Sequence, residues 1–276
     1  MNTILASAEL GDQGRTDFVT VGGQRLRVVT QGSGSPLLLI TGLGANIEMW
    51  RPLMRHLVGR QVIAFDPPGA GRSPAGPPRR MPDHARLVRD LLDELELARV
   101  DILGYSWGAS LAQQLAHDHP ERVRRLILAG GMCGLGSVPA SPLVVMHLLH
   151  PLRYYSATYL RWVTPTIYAG RTAREQWAMD AQAQAREANP PSLVGYAMQL
   201  FAITGWTSLP WLHRIQAPTL VLGGAQDPIV RTPNARLLAS RIPHAELHVL
   251  DGAGHLFLFD QPEDTIELLE RFLADE

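Results

Sequence analysis

Gly104-Tyr105-Ser106-Trp107-Gly108 sets a hydroxyl between two glycines in a G-x-S-x-G box. The apolar run Val100-Asp101-Ile102-Leu103 before it predicts a buried strand. Ala109 to Ala116 after it predicts a helix that Pro120 ends. A serine on so sharp a strand-to-helix turn exposes its Oγ and can act as a nucleophile. The turn drives the serine towards positive φ and leaves no space for a Cβ at Gly104 or Gly108. An unassisted hydroxyl is a weak nucleophile, so Ser106 needs a base, and the base needs an acid to orient it.

For serines on such turns the partners follow in the order acid, then histidine, each at a strand end. Asp227 comes in Gly223-Gly224-Ala225-Gln226-Asp227-Pro228, directly behind the strand predicted at Pro218–Leu222. His255 comes in the glycine-rich Asp251-Gly252-Ala253-Gly254-His255, behind the strand that contains Leu247–Leu250. Asp251 competes for the acid role, but its place just before the histidine suits a loop-capping task. His248 alternates within the strand and His244 precedes it, so both read as structural. His117 and His119 stand two apart on a helix and cannot face one ligand. An oxyanion would need two backbone donors. The amides of Trp107, next to the nucleophile, and of Leu43, in Thr41-Gly42-Leu43-Gly44-Ala45-Asn46, are the candidates.

These residues require elements to hold them. Pro36–Thr41 and Gln61–Phe65 are continuous apolar runs, as strands buried on both faces should be, while Arg25–Thr30 alternates like a half-exposed strand. Further strands are expected at Val123–Ala129, Thr219–Leu222 and Ala245–Leu250. A helix is expected between residues 82 and 97, where Leu87, Val88, Leu91, Leu92 and Leu95 recur at helical spacing, and a closing helix from Pro262 to Leu273. The alternation predicts an α/β fold with a mostly parallel sheet flanked by helices. From Cys133 to Leu212 it stops and aromatic-rich helical sequence takes over. We read residues 133–212 as a helical cap inserted into a core made of residues 1–132 and 213–276. Most of its aromatics (Trp162, Trp177, Trp206, Trp211, Tyr154, Tyr155, Tyr159, Tyr168, Tyr196) are expected to pack the cap's own small core.

A net charge of −1 argues against a nucleic-acid groove. Cys133 is alone, which excludes a disulfide framework and a thiolate metal site. His147 and His150 could share a helical face, but no carboxylate or thiol joins them, so no metal is expected. Gly42-Leu43-Gly44 lacks the remainder of a dinucleotide fingerprint, and no cofactor is expected. The start Met1-Asn2-Thr3-Ile4-Leu5-Ala6 has no basic n-region and is soon followed by Glu9 and Asp12. No stretch is long enough to cross a bilayer, and a cytoplasmic protein is expected.

Across nearly its whole length the chain resembles the α/β-hydrolases. Within them, several stretches resemble intracellular medium-chain-length polyhydroxyalkanoate depolymerases: Thr41–Asn46, Ser106-Trp107-Gly108, Gln113–Asp118 and Gly254–Leu258 in the core, and Gln199-Leu200-Phe201, Gly205–Ser208 and Trp211-Leu212-His213 in the cap. The cap matches are the more telling, because catalytic motifs are shared by the whole superfamily. The resemblance implies a serine esterase acting on a polyester of 3-hydroxyacids, without metal or cofactor. Where the family's oxyanion loop has His-Gly this chain has Thr41-Gly42, which removes a side chain but leaves the backbone amides. Ser106 argues against dehalogenase and epoxide hydrolase chemistry, whose relatives carry Asp there, and against polyester synthases, which carry Cys. The same residues would also serve a carboxylesterase or lipase, or cleavage of C–C bonds in vinylogous keto acids. A non-catalytic receptor for a small apolar molecule is a further use of the fold. The run Pro142–Leu149 reads either as a surface for docking on a hydrophobic granule or as a cap helix buried against the core.

Overall fold

The computed structural model describes residues 14–274. One sheet runs in the order β1-β2-β4-β3-β5-β6-β7-β8. Its strands are β1 (Arg15–Val21), β2 (Gln24–Gln31), β3 (Ser35–Ile40), β4 (Arg60–Phe65), β5 (Val100–Tyr105), β6 (Val123–Ala129), β7 (Thr219–Gly224) and β8 (Ala245–Leu250). The β1/β2 and β2/β4 pairs are antiparallel, and every other neighbour is parallel. Side chains alternate between faces along a strand, so a strand covered on both sides must be apolar throughout. Thus Leu37, Leu39, Leu103 and Ile127 enter one core, and Leu38, Ile40, Ile102 and Leu128 enter the other.

A short helix α1 (Arg51–Met54) follows β3, and α2 (Met81–Glu94) and α3 (Trp107–Asp118) flank β5 in sequence. The helix predicted over 82–97 stops at Glu94 because the chain turns back at Glu96, where φ is 57°. Strand β1 was not foreseen. β2 also differs from the half-exposed strand its alternation predicted, since Leu26 to Val29 are all buried. Arg27 can lie inside because Glu48 (2.8 Å) and Asp66 (3.4 Å) neutralise it.

Between β6 and β7 lie only helices and short helical turns, apart from one isolated antiparallel bridge between Gly134 and Thr207. The α-helices are α4 (Pro142–Leu149), α5 (Ala157–Ile167), α6 (Gly170–Arg174), α7 (Gln176–Ala188) and α8 (Leu193–Ile203). Then α9 (Thr232–Arg241), α10 (Phe257–Asp260) and α11 (Pro262–Leu273) complete the chain. The helical stretch is stitched to the rest by hydrogen bonds from residues of the stretches singled out in the sequence. Trp206 Nε1 donates to Gln114 Oε1 (2.7 Å) and Ser208 Oγ to Gln113 Oε1 (2.7 Å). Gln199 accepts from Trp107 Nε1 on its carbonyl and from the Gly44 amide on Oε1.

The aromatics of this stretch do not behave as expected of a self-contained core. Trp162, Trp177 and Tyr155 are exposed, while Tyr154 and Tyr168 line a pocket shared with Ser106. Helix α4 buries only Val144 and His147 and leaves Leu143 (51%) and Met146 (56%) exposed, so it is not buried against the core. Among the described residues no helix is long and apolar enough to cross a membrane. The reading of Met1–Ala6, Glu9 and Asp12 lies outside the described residues.

Candidate active site

Ser106 sits between the end of β5 and the first residue of α3 with φ 54° and ψ −116°, a conformation that L-residues seldom adopt. Its amide donates to the Ala129 carbonyl of β6 (2.8 Å), which holds the turn against the sheet. A Cβ on Gly108 would lie 2.1 Å from the Ile40 carbonyl oxygen, and one on Gly104 would lie 2.5 Å from that of Gly108. Strand and helix therefore approach this closely only with glycine at both places, which is the physical content of the G-x-S-x-G spacing.

The other two candidates converge on this serine from distant parts of the chain. His255 Nε2 lies 3.1 Å from Ser106 Oγ, and His255 Nδ1 lies 2.6 Å from Asp227 Oδ2. The second Asp227 oxygen accepts from the amides of Ile229 (2.8 Å) and Val230 (2.9 Å), so the carboxylate cannot swing away. The His255 loop is clamped at both backbone ends. Its amide donates to the Tyr168 carbonyl (2.8 Å), and its carbonyl accepts from the Tyr105 hydroxyl (2.9 Å). Asp227 is 5% exposed and His255 3%, so water does not compete for their hydrogen bond. An imidazole held in this way can take a hydroxyl proton through one nitrogen while the carboxylate stabilises the charge.

Asp251 is exposed in the turn after β8, and the carboxylate that meets His255 Nδ1 is that of Asp227, so the fold separates the two acidic candidates. His244 is exposed and His248 faces Arg271 of α11 (3.3 Å). His117 contacts the Asp118 carboxylate and stacks on Trp211, and His147 bonds the Tyr159 hydroxyl. Among the described residues no group of three His, Cys, Asp or Glu side chains could hold a metal.

The loop after β3 supplies Leu43. Its neighbours are committed, the Gly44 amide to Gln199 and the Ala45 amide to the Gly42 carbonyl (3.1 Å), whereas the Leu43 amide donates to no group among the described residues. Trp107 opens α3, where first-turn amides have no intrahelical acceptor. Asp66 holds the far end of the same loop by accepting from the Ile47 amide (2.8 Å), and it also accepts from the Arg72 amide (2.9 Å). Burial raises the Asp66 carboxyl to about 6, against the pull of those amides and of Arg27.

Leu43, Met49, Met132, Leu148, Ile229 and Leu256 surround Ser106 and His255 in a largely apolar cavity of ≈ 130 Å³. Two arginines that the sequence reading passed over, Arg153 and Arg186, also line it. No periodicity marks them; only folding brings a short helical turn and α7 to the same wall.

Residues 35–262 match the family described as the alpha/beta hydrolase fold, and the chain belongs to that family. It is 43% identical over 245 residues to a poly(3-hydroxyalkanoate) depolymerase of Ectopseudomonas oleovorans, covering 88% of this chain and 85% of the relative. It is 30% identical over 256 residues to 3-oxoadipate enol-lactonase 2 of Acinetobacter baylyi, covering 90% and 92%. A hydrolase from Pseudomonas aeruginosa PA01 has the same fold, with a TM-score of 0.82 at 24% identity over 95% of this chain and all of the other.

Proposed function

We propose that this chain hydrolyses carboxylic esters through an acyl-enzyme, with poly(3-hydroxyalkanoate) as its substrate class. Ser106 Oγ attacks the ester carbonyl while His255 takes its proton, and Asp227 orients and stabilises the imidazolium. The amides of Leu43 and Trp107 hold the oxyanion. The C–O bond then breaks, His255 returns the proton to the departing alcohol, and water releases the acid by the same steps in reverse. Residues 133–212 act as a cap over this centre, with residues 1–132 and 213–276 as the core.

The observation that carries this reading is the hydrogen-bonded series Ser106–His255–Asp227 at the wall of an apolar cavity. The polyester substrate is supported by the 43% identity to a depolymerase over most of both chains. It is also supported by α4, whose exposed Leu143, Val145, Met146 and Leu149 offer an apolar face to a polymer surface.

The test is clearing of an amorphous medium-chain-length polyhydroxyalkanoate latex, with Ser106→Ala as the control. Clearing by the native protein alone, with release of 3-hydroxyacids, is expected. A turbid latex together with cleavage of short nitrophenyl esters would replace the polymer by a small ester. Folded protein that neither cleaves esters nor takes a fluorophosphonate on Ser106 would overturn the mechanism.

A further inference from the structure

Two guanidinium groups lie against the cavity that holds Ser106, and among the described residues neither has a carboxylate beside it. Arg153 is 3% exposed and Arg186 1%. Among the described residues neither pairs with a carboxylate. Arg153 donates to the carbonyls of His147, Leu148 and His150, at 3.2–3.3 Å, and its guanidinium lies over the rings of Tyr154 and Tyr196. Arg186 donates to the Tyr168 hydroxyl (2.6 Å) and, at 3.5 Å, to Gln182 Oε1. The buried Nε–H of each has no partner. Both cations flank one ring, Tyr154, at 4.9 and 5.2 Å from its centroid.

Buried charges are ordinarily paired, because removing an ion from water without a counter-charge is strongly unfavourable. Two other buried charges of this chain are paired: Arg27 with Glu48 and Asp66, and Asp101 with Arg124. Arg153 and Arg186 depart from it, and they do so together at the one cavity that contains the nucleophile. Burial by itself pushes the Tyr168 phenol up, yet Arg186 and Arg153 bring it net below its ordinary range.

We propose that Arg153 and Arg186 form a carboxylate subsite, which binds the free carboxylate of a 3-hydroxyacid unit while its ester is presented to Ser106. A guanidinium matches a carboxylate in geometry and charge, and the free Nε–H groups are donors such a ligand would use. The subsite selects acid-ended oligomers and chain ends over neutral esters of the same length, and it also receives the released hydroxyacid. This specificity rests on the ester hydrolysis proposed above, but the binding does not.

Binding is therefore tested apart from turnover, on Ser106→Ala protein titrated by ligand-detected NMR with 3-hydroxyoctanoate and with the neutral 3-hydroxyoctanamide. The acid is expected to bind at least about tenfold more tightly than the amide. In Ser106→Ala, Arg186→Met protein the two should agree within about twofold. Equal binding of acid and amide to Ser106→Ala protein, or binding of neither, would overturn the subsite, even where the arginine variant fails to fold. Turnover of the free-acid 3-hydroxyoctanoate dimer and of its methyl ester by the native protein gives the second arm. A preference for the free acid of about tenfold or more supports the subsite, and equal rates overturn it. If neither dimer is cleaved while the acid still binds selectively, the hydrolysis reading falls and the subsite stands.

Discussion

Asp227→Asn replaces one carboxylate oxygen by an amide NH₂ of nearly the same shape, and the surrounding hydrogen bonds dictate its orientation. Oδ1 accepts from two amides, those of Ile229 and Val230, while Oδ2 meets His255 Nδ1 at 2.6 Å. If the new oxygen keeps both amides, the NH₂ must point at Nδ1 and donate to it. Nδ1 then has to be the unprotonated nitrogen, so the proton sits on Nε2, 3.1 Å from Ser106 Oγ. An imidazole protonated there has no lone pair for the serine proton. The flipped orientation would restore the tautomer, but it sets the NH₂ against two buried N–H donors. Leaving two such donors unsatisfied costs about 2–6 kcal/mol. Both routes block the base, and the fall in kcat should approach ~10⁴, or about 5 kcal/mol of barrier. The assay is hydrolysis of p-nitrophenyl octanoate, with a thermal melt to show that the fold persists. A folded Asp227→Asn protein that retains more than about one thirtieth of native kcat would refute this reasoning.

His84 gives a pH-dependent prediction. Burial, with a smaller effect from Arg79, pushes its imidazole down to about 4, against 6.5 when unfolded. The unfolded chain therefore protonates first, and the stability that neutral His84 contributes is complete above about pH 6.5 and lost as pH falls towards 4. Asp66, raised to about 6, acts in the opposite sense, since its contribution is present below the unfolded pKa of 3.8 and lost as pH rises through 6. Comparison with a His84→Gln variant isolates the histidine. The unfolding free energy of the native protein relative to the variant should fall by about 2–3 kcal/mol between pH 7.5 and 4.5, read from urea melts. A difference independent of pH would exclude His84. For α4, Leu143→Ser with Met146→Ser should slow latex clearing about tenfold or more, because burying each half-exposed side chain in the polymer surface is worth roughly 1 kcal/mol. Cleavage of soluble nitrophenyl esters should be unaffected; equal loss of both activities would argue against a docking face there.

The core of the fold was legible because a doubly covered strand must be apolar at every position. β3, β4 and β5 accordingly lie where continuous or nearly continuous apolar runs were read, β6, β7 and β8 lie where further strands were expected, and α11 spans Pro262–Leu273 as expected. Arg27 misled the reading of β2, because a buried arginine and an exposed one look alike until Glu48 and Asp66 are seen beside it. The aromatics of residues 133–212 misled in the same way: residue type specifies the capacity to pack, and the fold selects the partner.

The chain's local chemistry determined the turn at Ser106. Glycines at 104 and 108, with apolar sequence on either side, suffice to define a strand–turn–helix at Ser106, since the constraint is steric and acts within a few residues. The order of elements also brought Asp227 and His255 forward as strand-end candidates. Tertiary structure alone separated Asp227 from Asp251, by turning one carboxylate onto Nδ1 and leaving the other exposed. It alone brought Arg153 and Arg186 together at one ring beside the cavity. Pairing between residues far apart in the chain depends on distance and burial, and these come into being only when the sheet and the helices above it have assembled.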